Sequence, residues 1–91
     1  MTTRYTRHPD LRVTALEGEG VVLHLGTRRY YSVSATGLDL LQALEQPRTL
    51  GELVAVLTAK YDVTEEEASQ STRAFLEHGV GSGVLLVEQV S

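Results

Sequence analysis

Residues that could do chemistry are few in this chain, and they are widely spaced. The three histidines, His8, His24 and His78, have no second histidine or carboxylate at the spacing of a metal site. The sequence has no cysteine, which removes thiolate ligands, a cysteine nucleophile and disulfides. No serine lies in a G-x-S-x-G motif. We therefore expect no catalytic residue, no metal site and no cofactor, and hence a protein that is not an enzyme.

Two further clusters have structural explanations. Glu65, Glu66 and Glu67 follow one another, and consecutive helical side chains point in different directions, so these carboxylates do not converge on a cation. They suit the first turn of a helix, where the helix dipole is positive. The glycines of Gly79–Gly83 lack the Lys-Ser/Thr of a phosphate-binding loop, and we interpret them as a loosened helix end.

Length and charge narrow the class of protein. The 91 residues suit a single domain, 1–91, with residues 1–8 expected to form a flexible tail. Net charge is −4, from 12 acidic and 8 basic residues, which counts against a nucleic-acid partner because such proteins must neutralise phosphates. The longest apolar run, Leu53–Leu57, is too short to span a bilayer, and no signal peptide is visible. We predict a cytoplasmic protein with no membrane partner.

Alternation of apolar and polar residues in the first third predicts an antiparallel meander. Strands are expected around residues 11–15, 21–25 and 29–33, with turns at 17–20 and 26–28. The helical part begins at Ser34, a plausible N-cap, and the first helix should end near Gln46-Pro47.

Two capping boxes then start two further helices, one with Thr49 and Glu52 and one with Thr64 and Glu67. The third helix ends either at His78 or at a cap on Gly83. Residues 84–87 either form a short terminal strand or pack under the helices. The predicted fold class is α+β, with a winged helix-turn-helix-like order of a three-stranded sheet followed by three helices.

One segment has two open interpretations. The last strand of a meander is an edge, and here Arg29–Val33 contains no proline or glycine to break it. In the first interpretation, Tyr31 and Val33 pack inward while Arg29 and Tyr30 form a solvated outer face. In the second, an extended peptide completes the sheet by β-strand addition, with main-chain hydrogen bonds supplying the affinity.

Three segments carry a family resemblance: Gly26–Gly37, Pro47–Leu53 and Tyr61–Ala68. In order and spacing they resemble the PqqD-like family, over roughly residues 8–88. The resemblance implies a recognition element for ribosomally synthesised and post-translationally modified peptides (RiPPs). Such elements bind the leader of a precursor peptide as an extra antiparallel strand, in a groove walled by the third helix, and present the precursor to a maturation enzyme.

The chain is most similar to the stand-alone leader-binding proteins of lasso-peptide biosynthesis. For such a protein the resemblance implies two partners, the precursor leader peptide and a separate leader protease or other modifying enzyme. The glycines near Gly79–Gly83 depart from the family pattern, which leaves the length of the third helix open. A homodimer through the open edge also stays open.

Carried onto this sequence, the resemblance assigns peptide-binding roles to two sets of residues. The strand set is Arg28, Arg29, Tyr30, Tyr31, Ser32 and Val33. The set on the third helix is Glu67, Gln70, Ser71, Ala74, Phe75 and His78. Periodicity alone does not choose this flank over the opposite one, which runs through Ser69, Arg73 and Val80.

A pocket between Tyr31, Val33 and Phe75 is expected to take an aromatic or proline side chain of the leader. Arg28 or Arg29 would pair with a leader carboxylate.

Two other functions compete with peptide recognition. A winged-helix DNA-binding regulator shares the element order but needs basic residues on its recognition helix. Here that helix begins with three glutamates and carries Arg73 as its one lysine or arginine. A general protein-interaction subunit without peptide specificity is the third possibility.

Overall fold

The computed structural model describes residues 2–90, which form five strands and three helices. In chain order these are β1 (Thr2–Arg7), β2 (Leu11–Leu16), β3 (Glu19–His24), β4 (Arg29–Ser34), α1 (Ala35–Ala43), α2 (Leu50–Lys60), α3 (Glu65–Gly81) and β5 (Leu85–Val90). Strands β2, β3 and β4 form an antiparallel sheet in that order. The predicted three-stranded meander followed by three helices is therefore confirmed. None of these helices is long and apolar enough to cross a membrane.

The start of the chain differs from the prediction. Residues 2–7, expected to form a tail, form β1, which pairs antiparallel with β5 from Thr2↔Val90 to Arg7↔Leu85. The other side of β1 is also bonded, because Tyr5 and Arg48 exchange backbone hydrogen bonds of 2.7 and 2.9 Å. Both partners are distant in sequence, so the pairing that makes this segment a strand cannot be read from nearby residues. Met1 lies outside the described residues.

Helix starts follow the predicted caps. Thr49 Oγ1 accepts from Glu52 N at 3.2 Å while Thr49 N donates to Glu52 Oε1 at 2.9 Å, and Thr64 and Glu67 repeat the arrangement. Ser34 Oγ accepts from Gly37 N at 3.4 Å and starts α1. Each such cap contributes about 1 kcal/mol to helix stability.

The helix ends depend more on contacts with distant parts of the chain than the helix starts do. α1 stops at Ala43, short of the predicted Gln46-Pro47, since the segment after it turns to hydrogen-bond with β1. α3 continues to Gly81, and Gly83 follows with a φ of 81°. Of the two predicted ends of α3, the structure has the longer.

The core lies where the three helices meet the sheets. It contains Leu11, Val22, Leu40, Leu41, Leu44, Leu53, Val54, Leu57, Ala68, Leu76 and Leu85. Gly79 lets β5 approach α3, because a Cβ at this position would lie 2.5 Å from Leu85 Cδ1. Val84 N also donates to Gly79 O at 2.9 Å. The glycine that departs from the family pattern therefore has a packing role.

Candidate peptide-binding groove

Strand β4 is an edge of the three-stranded sheet. It pairs with β3 from His24↔Arg29 to Glu19↔Ser34, and among residues 2–90 no other strand pairs with it. Arg28 closes the preceding turn with a φ of 60°, a left-handed conformation that costs a non-glycine residue about 1 kcal/mol. Its N–H donates to His24 O at 2.7 Å, which fixes where the strand begins. The edge is thus regular along its whole length.

Side chains of β4 divide between two environments. Tyr31 and Val33 are half-buried and pack against the core, whereas Tyr30 is 72% exposed. Arg29, at the start of the strand, is exposed as well. This orientation is compatible with both interpretations of the strand, because strand addition uses the backbone.

A groove runs between β4 and α3. Its β4 wall is Tyr31, Ser32 and Val33, and its α3 wall is Phe75, His78 and Gly79. Side chains of consecutive strand residues point to opposite faces of a sheet. Because three consecutive residues of β4 all line the groove, the groove reaches the backbone edge of this strand. Val22, Leu41, Val84 and Leu85 give it an apolar floor, with Ser82 also lining it. Its cavity volume is about 130 Å³. An apolar cavity of about 150 Å³ accommodates benzene, so this one suits a single ring-sized side chain.

A second depression lies past the end of β4. Here Thr36, at the start of α1, lines it with Glu67 and Ser71 of α3, and Leu57, Tyr61, Val63 and Ala68 complete a volume of about 130 Å³. Between the two depressions, a Cβ on Gly37 would lie 3.3 Å from Val33 Cβ and 3.5 Å from Phe75 Cε1. The junction of β4 and α1 therefore packs closely on α3 between the groove and the second depression.

Of the six predicted α3 residues, Phe75 and His78 line the groove, and Glu67 and Ser71 line the second depression beyond the end of β4. Gln70 does neither, since it lines a separate depression with Glu65, Glu66, Ser69 and Arg73. Ala74 is exposed and lines neither the groove nor the second depression. Arg73 and Val80, from the alternative flank, line a different groove with Tyr5, Leu50 and Val87.

Sequence reasoning missed the residues that reach the groove and the second depression from elsewhere in the chain. These are Val22, Thr36, Leu41, Leu57, Tyr61, Val63, Ala68, Gly79, Ser82, Val84 and Leu85. The glycines of α3 were the available signal for part of this set, because a glycine inside a helix often marks a close approach of another element.

Hydrogen bonds hold two carboxylates, Glu67 and Asp39, near the α1 end of the groove. Thr64 N and Thr64 Oγ1 both donate to Glu67 Oε1, at 3.2 and 2.9 Å, and these hydrogen bonds lower the pKa of Glu67. Nearby, Lys60 Nζ lies 2.8 Å from Asp39 Oδ1, and Tyr61 Oη donates to Asp39 Oδ2. Partial burial raises the pKa of Asp39, but these two hydrogen bonds outweigh it and the pKa is lowered. Asp39 thereby ties α1 to the end of α2.

Two of the histidines serve the turns. His24 is buried and its Nδ1 accepts from Gly26 N at 3.1 Å, while His8 Nδ1 accepts from Asp10 N at 3.0 Å. Their rings lie 4.6 Å apart between centroids. Among residues 2–90, no three His, Asp or Glu side chains are grouped so as to hold a metal ion.

The family model of Coenzyme PQQ synthesis protein D (PqqD) matches residues 19–85. The chain belongs to the PqqD family. The resemblance predicted from the three sequence segments is thereby confirmed. No curated protein matches the chain.

Two solved structures share its fold. One is TbiB1 in complex with the TbiA(beta) leader peptide, with a TM-score of 0.79 and 24% identity over 94% of this chain and 98% of that one. The other is lasso peptide synthetase B1 complexed with the leader peptide, with a TM-score of 0.76 and 20% identity over 90% and 96%.

The PqqD match begins at the first residue of β3 and ends at the first residue of β5. It therefore contains every residue that lines the groove between β4 and α3. Strands β1 and β2 lie outside the match. The candidate site thus lies within the matched region, whereas β1 and all but the first residue of β5 lie outside it.

Proposed function

We propose that this chain binds the leader region of a RiPP precursor as an additional antiparallel strand on β4, in lasso-peptide biosynthesis or a related pathway. The observation that carries the proposal is the juxtaposition of a regular, unpaired strand edge with an apolar groove under α3. Membership of the PqqD family supports it. The two solved structures of the same fold are both complexes with leader peptides.

Binding on this edge would divide affinity and selectivity between backbone and side chains. Main-chain groups of β4 pair with the peptide whatever its sequence, which gives affinity. Alternate peptide side chains point toward α3, and one of them enters the pocket between Tyr31, Val33 and Phe75. An aromatic or proline side chain fits that pocket. Arg28 or Arg29 pairs with a carboxylate of the leader.

The chain itself would bind and present the precursor without catalysing a reaction. We infer that a separate leader protease, or another modifying enzyme, acts on the presented precursor in the cytoplasm. Holding the leader as a fixed strand restrains the attached core peptide near the enzyme and raises its effective concentration there.

Titration separates this function from its rivals. The protein is titrated against a fluorescently labelled leader from the neighbouring precursor gene, a scrambled version of that leader, and duplex DNA at moderate salt. We expect micromolar or tighter binding of the leader and much weaker binding of the other two. Binding to DNA but not to the leader would instead support the winged-helix regulator, while no preference for the leader over its scrambled version would support a general interaction subunit.

A further inference from the structure

The groove between β4 and α3 has ends of opposite charge. Arg28 and Arg29 lie at the end where β4 begins. At the end where β4 stops, Glu67 of α3 lines a depression together with Thr36. The two basic residues and Glu67 are thus separated by the length of the strand.

These three charges are available to a ligand. Arg28, Arg29 and Glu67 are exposed, and none has an ion-pair partner within the part of the chain that the structure describes.

The other charged groups near the two ends of the groove do not change the sign of the charge at either end. Near the acidic end, Lys60 is held by Asp39, while Asp62, Glu65 and Glu66 add negative charge. Near the basic end, Asp10 approaches the turn at Gly26, and Arg12 adds a positive charge on β2.

The direction of the bound peptide strand determines which order of charged residues in the peptide matches the two ends of the groove. A peptide antiparallel to β4 has its N-terminal side at Ser34 and its C-terminal side at Arg29. The five-residue rise between these positions is about 17 Å. That exceeds the screening length of about 8 Å at physiological salt, so each end of the groove acts on the peptide independently.

We propose that the groove selects leaders by charge order, with basic residues on the N-terminal side of the strand-pairing segment and acidic residues on its C-terminal side. The proposal rests on the proposed function. The same charges disfavour a parallel peptide of that sequence, because each of its ends would meet a like charge. Charge order would therefore set the direction in which the core peptide leaves the groove, past Arg29.

Two synthetic leaders test the charge order. They share the strand-pairing residues, and one carries two lysines before this segment and two glutamates after it, while the other has these flanks exchanged. Exposed ion pairs are individually weak, so we expect the first peptide to bind about tenfold more tightly at low salt. The ratio should fall to within about twofold in 0.5 M salt.

Variants assign the effect to the groove. The triple variant Arg28→Gln, Arg29→Gln and Glu67→Gln should remove most of the preference, and glutamine at 67 preserves the capping box, so α3 stays intact. The matched control is Arg73→Gln with Glu77→Gln, which lies on the opposite flank of α3 and should leave the preference unchanged.

Equal binding of both peptides at micromolar affinity, or a preference for the exchanged flanks, overturns the charge order while leaving leader binding in place. Failure of both peptides and of the natural leader to bind overturns the proposed function itself. A preference that survives the Arg28, Arg29 and Glu67 triple variant places the selecting charges elsewhere and also overturns the proposal.

Discussion

Helix α3 walls two grooves, and they differ in what faces the helix. The larger groove, about 540 Å³, lies on the flank of Arg73 and Val80 and receives Tyr5 and Val87 from the two-stranded sheet. Tyr5 and Val87 are cross-strand partners, so this groove lies against a face of that sheet. The smaller groove, about 130 Å³, also contains a cross-strand pair, Val22 and Tyr31, but Ser32 and Val33 extend its lining along β4, which is an edge strand. An extended peptide needs backbone partners, and we therefore propose the smaller groove as the peptide site although its cavity is the smaller of the two.

Proline substitution along β4 should produce the largest effect. In an antiparallel strand, consecutive N–H groups point to opposite sides, so one of Tyr31 and Ser32 donates toward β3 and the other toward the open edge. Tyr31→Pro and Ser32→Pro are both made. We expect Tyr31→Pro to abolish leader binding. Of the two variants, the one that removes the outward N–H should stay folded, as measured by circular dichroism, and its leader affinity should fall more than about 100-fold. Unchanged leader affinity in both folded variants would mean that the peptide binds elsewhere.

Gly79 and Gly81 give a matched pair on α3. Gly79→Ala directs a Cβ at Leu85, and we expect a loss of about 1–2 kcal/mol in the free energy of unfolding, after the gain in helix propensity is included. Gly81→Ala meets nothing within 4 Å and should stabilise the protein by about 0.5 kcal/mol. Urea denaturation measures both. Because Gly79 also lines the smaller groove, its variant should weaken leader binding too, and equal stabilities would contradict the close packing of β5 on α3.

Truncation on each flank of α3 compares the two grooves directly. Phe75→Ala removes the ring that faces Val33 across the smaller groove, and we expect leader affinity to fall about tenfold. Val80→Ala removes a side chain that is 38% exposed from the larger groove and should change affinity by less than about twofold. Isothermal titration at a temperature where both variants remain folded provides the measurement. A larger loss for Val80→Ala would move the site to the opposite flank.

The same contrast explains what the sequence could predict. Caps, turns and strand alternation are local, and so the meander, the helix starts and the β4 edge were accessible from residue types. The partners of β1 are β5 and Arg48, both far along the chain, and the half-exposed segment Thr2–Arg7 has Tyr5 as its one apolar side chain. That strand was therefore missed.

The site itself was predicted in part for a related reason. The residues of β4 were identifiable from the strand, but the side of α3 that meets β4 is a tertiary property. Helical periodicity gives candidate stripes without saying which stripe faces the edge, and this is why Gln70 was grouped with residues that lie on the other side of the helix.

Asp39 and Glu52 are two carboxylates with a lowered pKa, one beside each groove, and their substitution should give the smallest effects. Hydrogen bonds from Lys60 and Tyr61 lower the pKa of Asp39 despite its partial burial, and the Thr49 backbone does the same for Glu52 at the start of α2. A carboxylate whose pKa is lower in the folded state than in the unfolded state stabilises the fold at pH values above its unfolded pKa, near 4. This stabilisation is lost as the pH falls through the pKa of the folded state.

Asp39→Asn should therefore reduce stability by less than about 1 kcal/mol at pH 7, with the difference from wild type vanishing in acid. It should also weaken leader binding about twofold, since Asp39 holds α1 against α2 beside Thr36 and Tyr61. Glu52→Gln keeps its cap and lies beside Leu50, on the side of the larger groove, so leader affinity should not change. Urea denaturation from pH 3 to 7 and titration with the leader at pH 7 measure the two effects. Equal leader affinities for the two variants would show that the α1–α2 contact does not shape the groove.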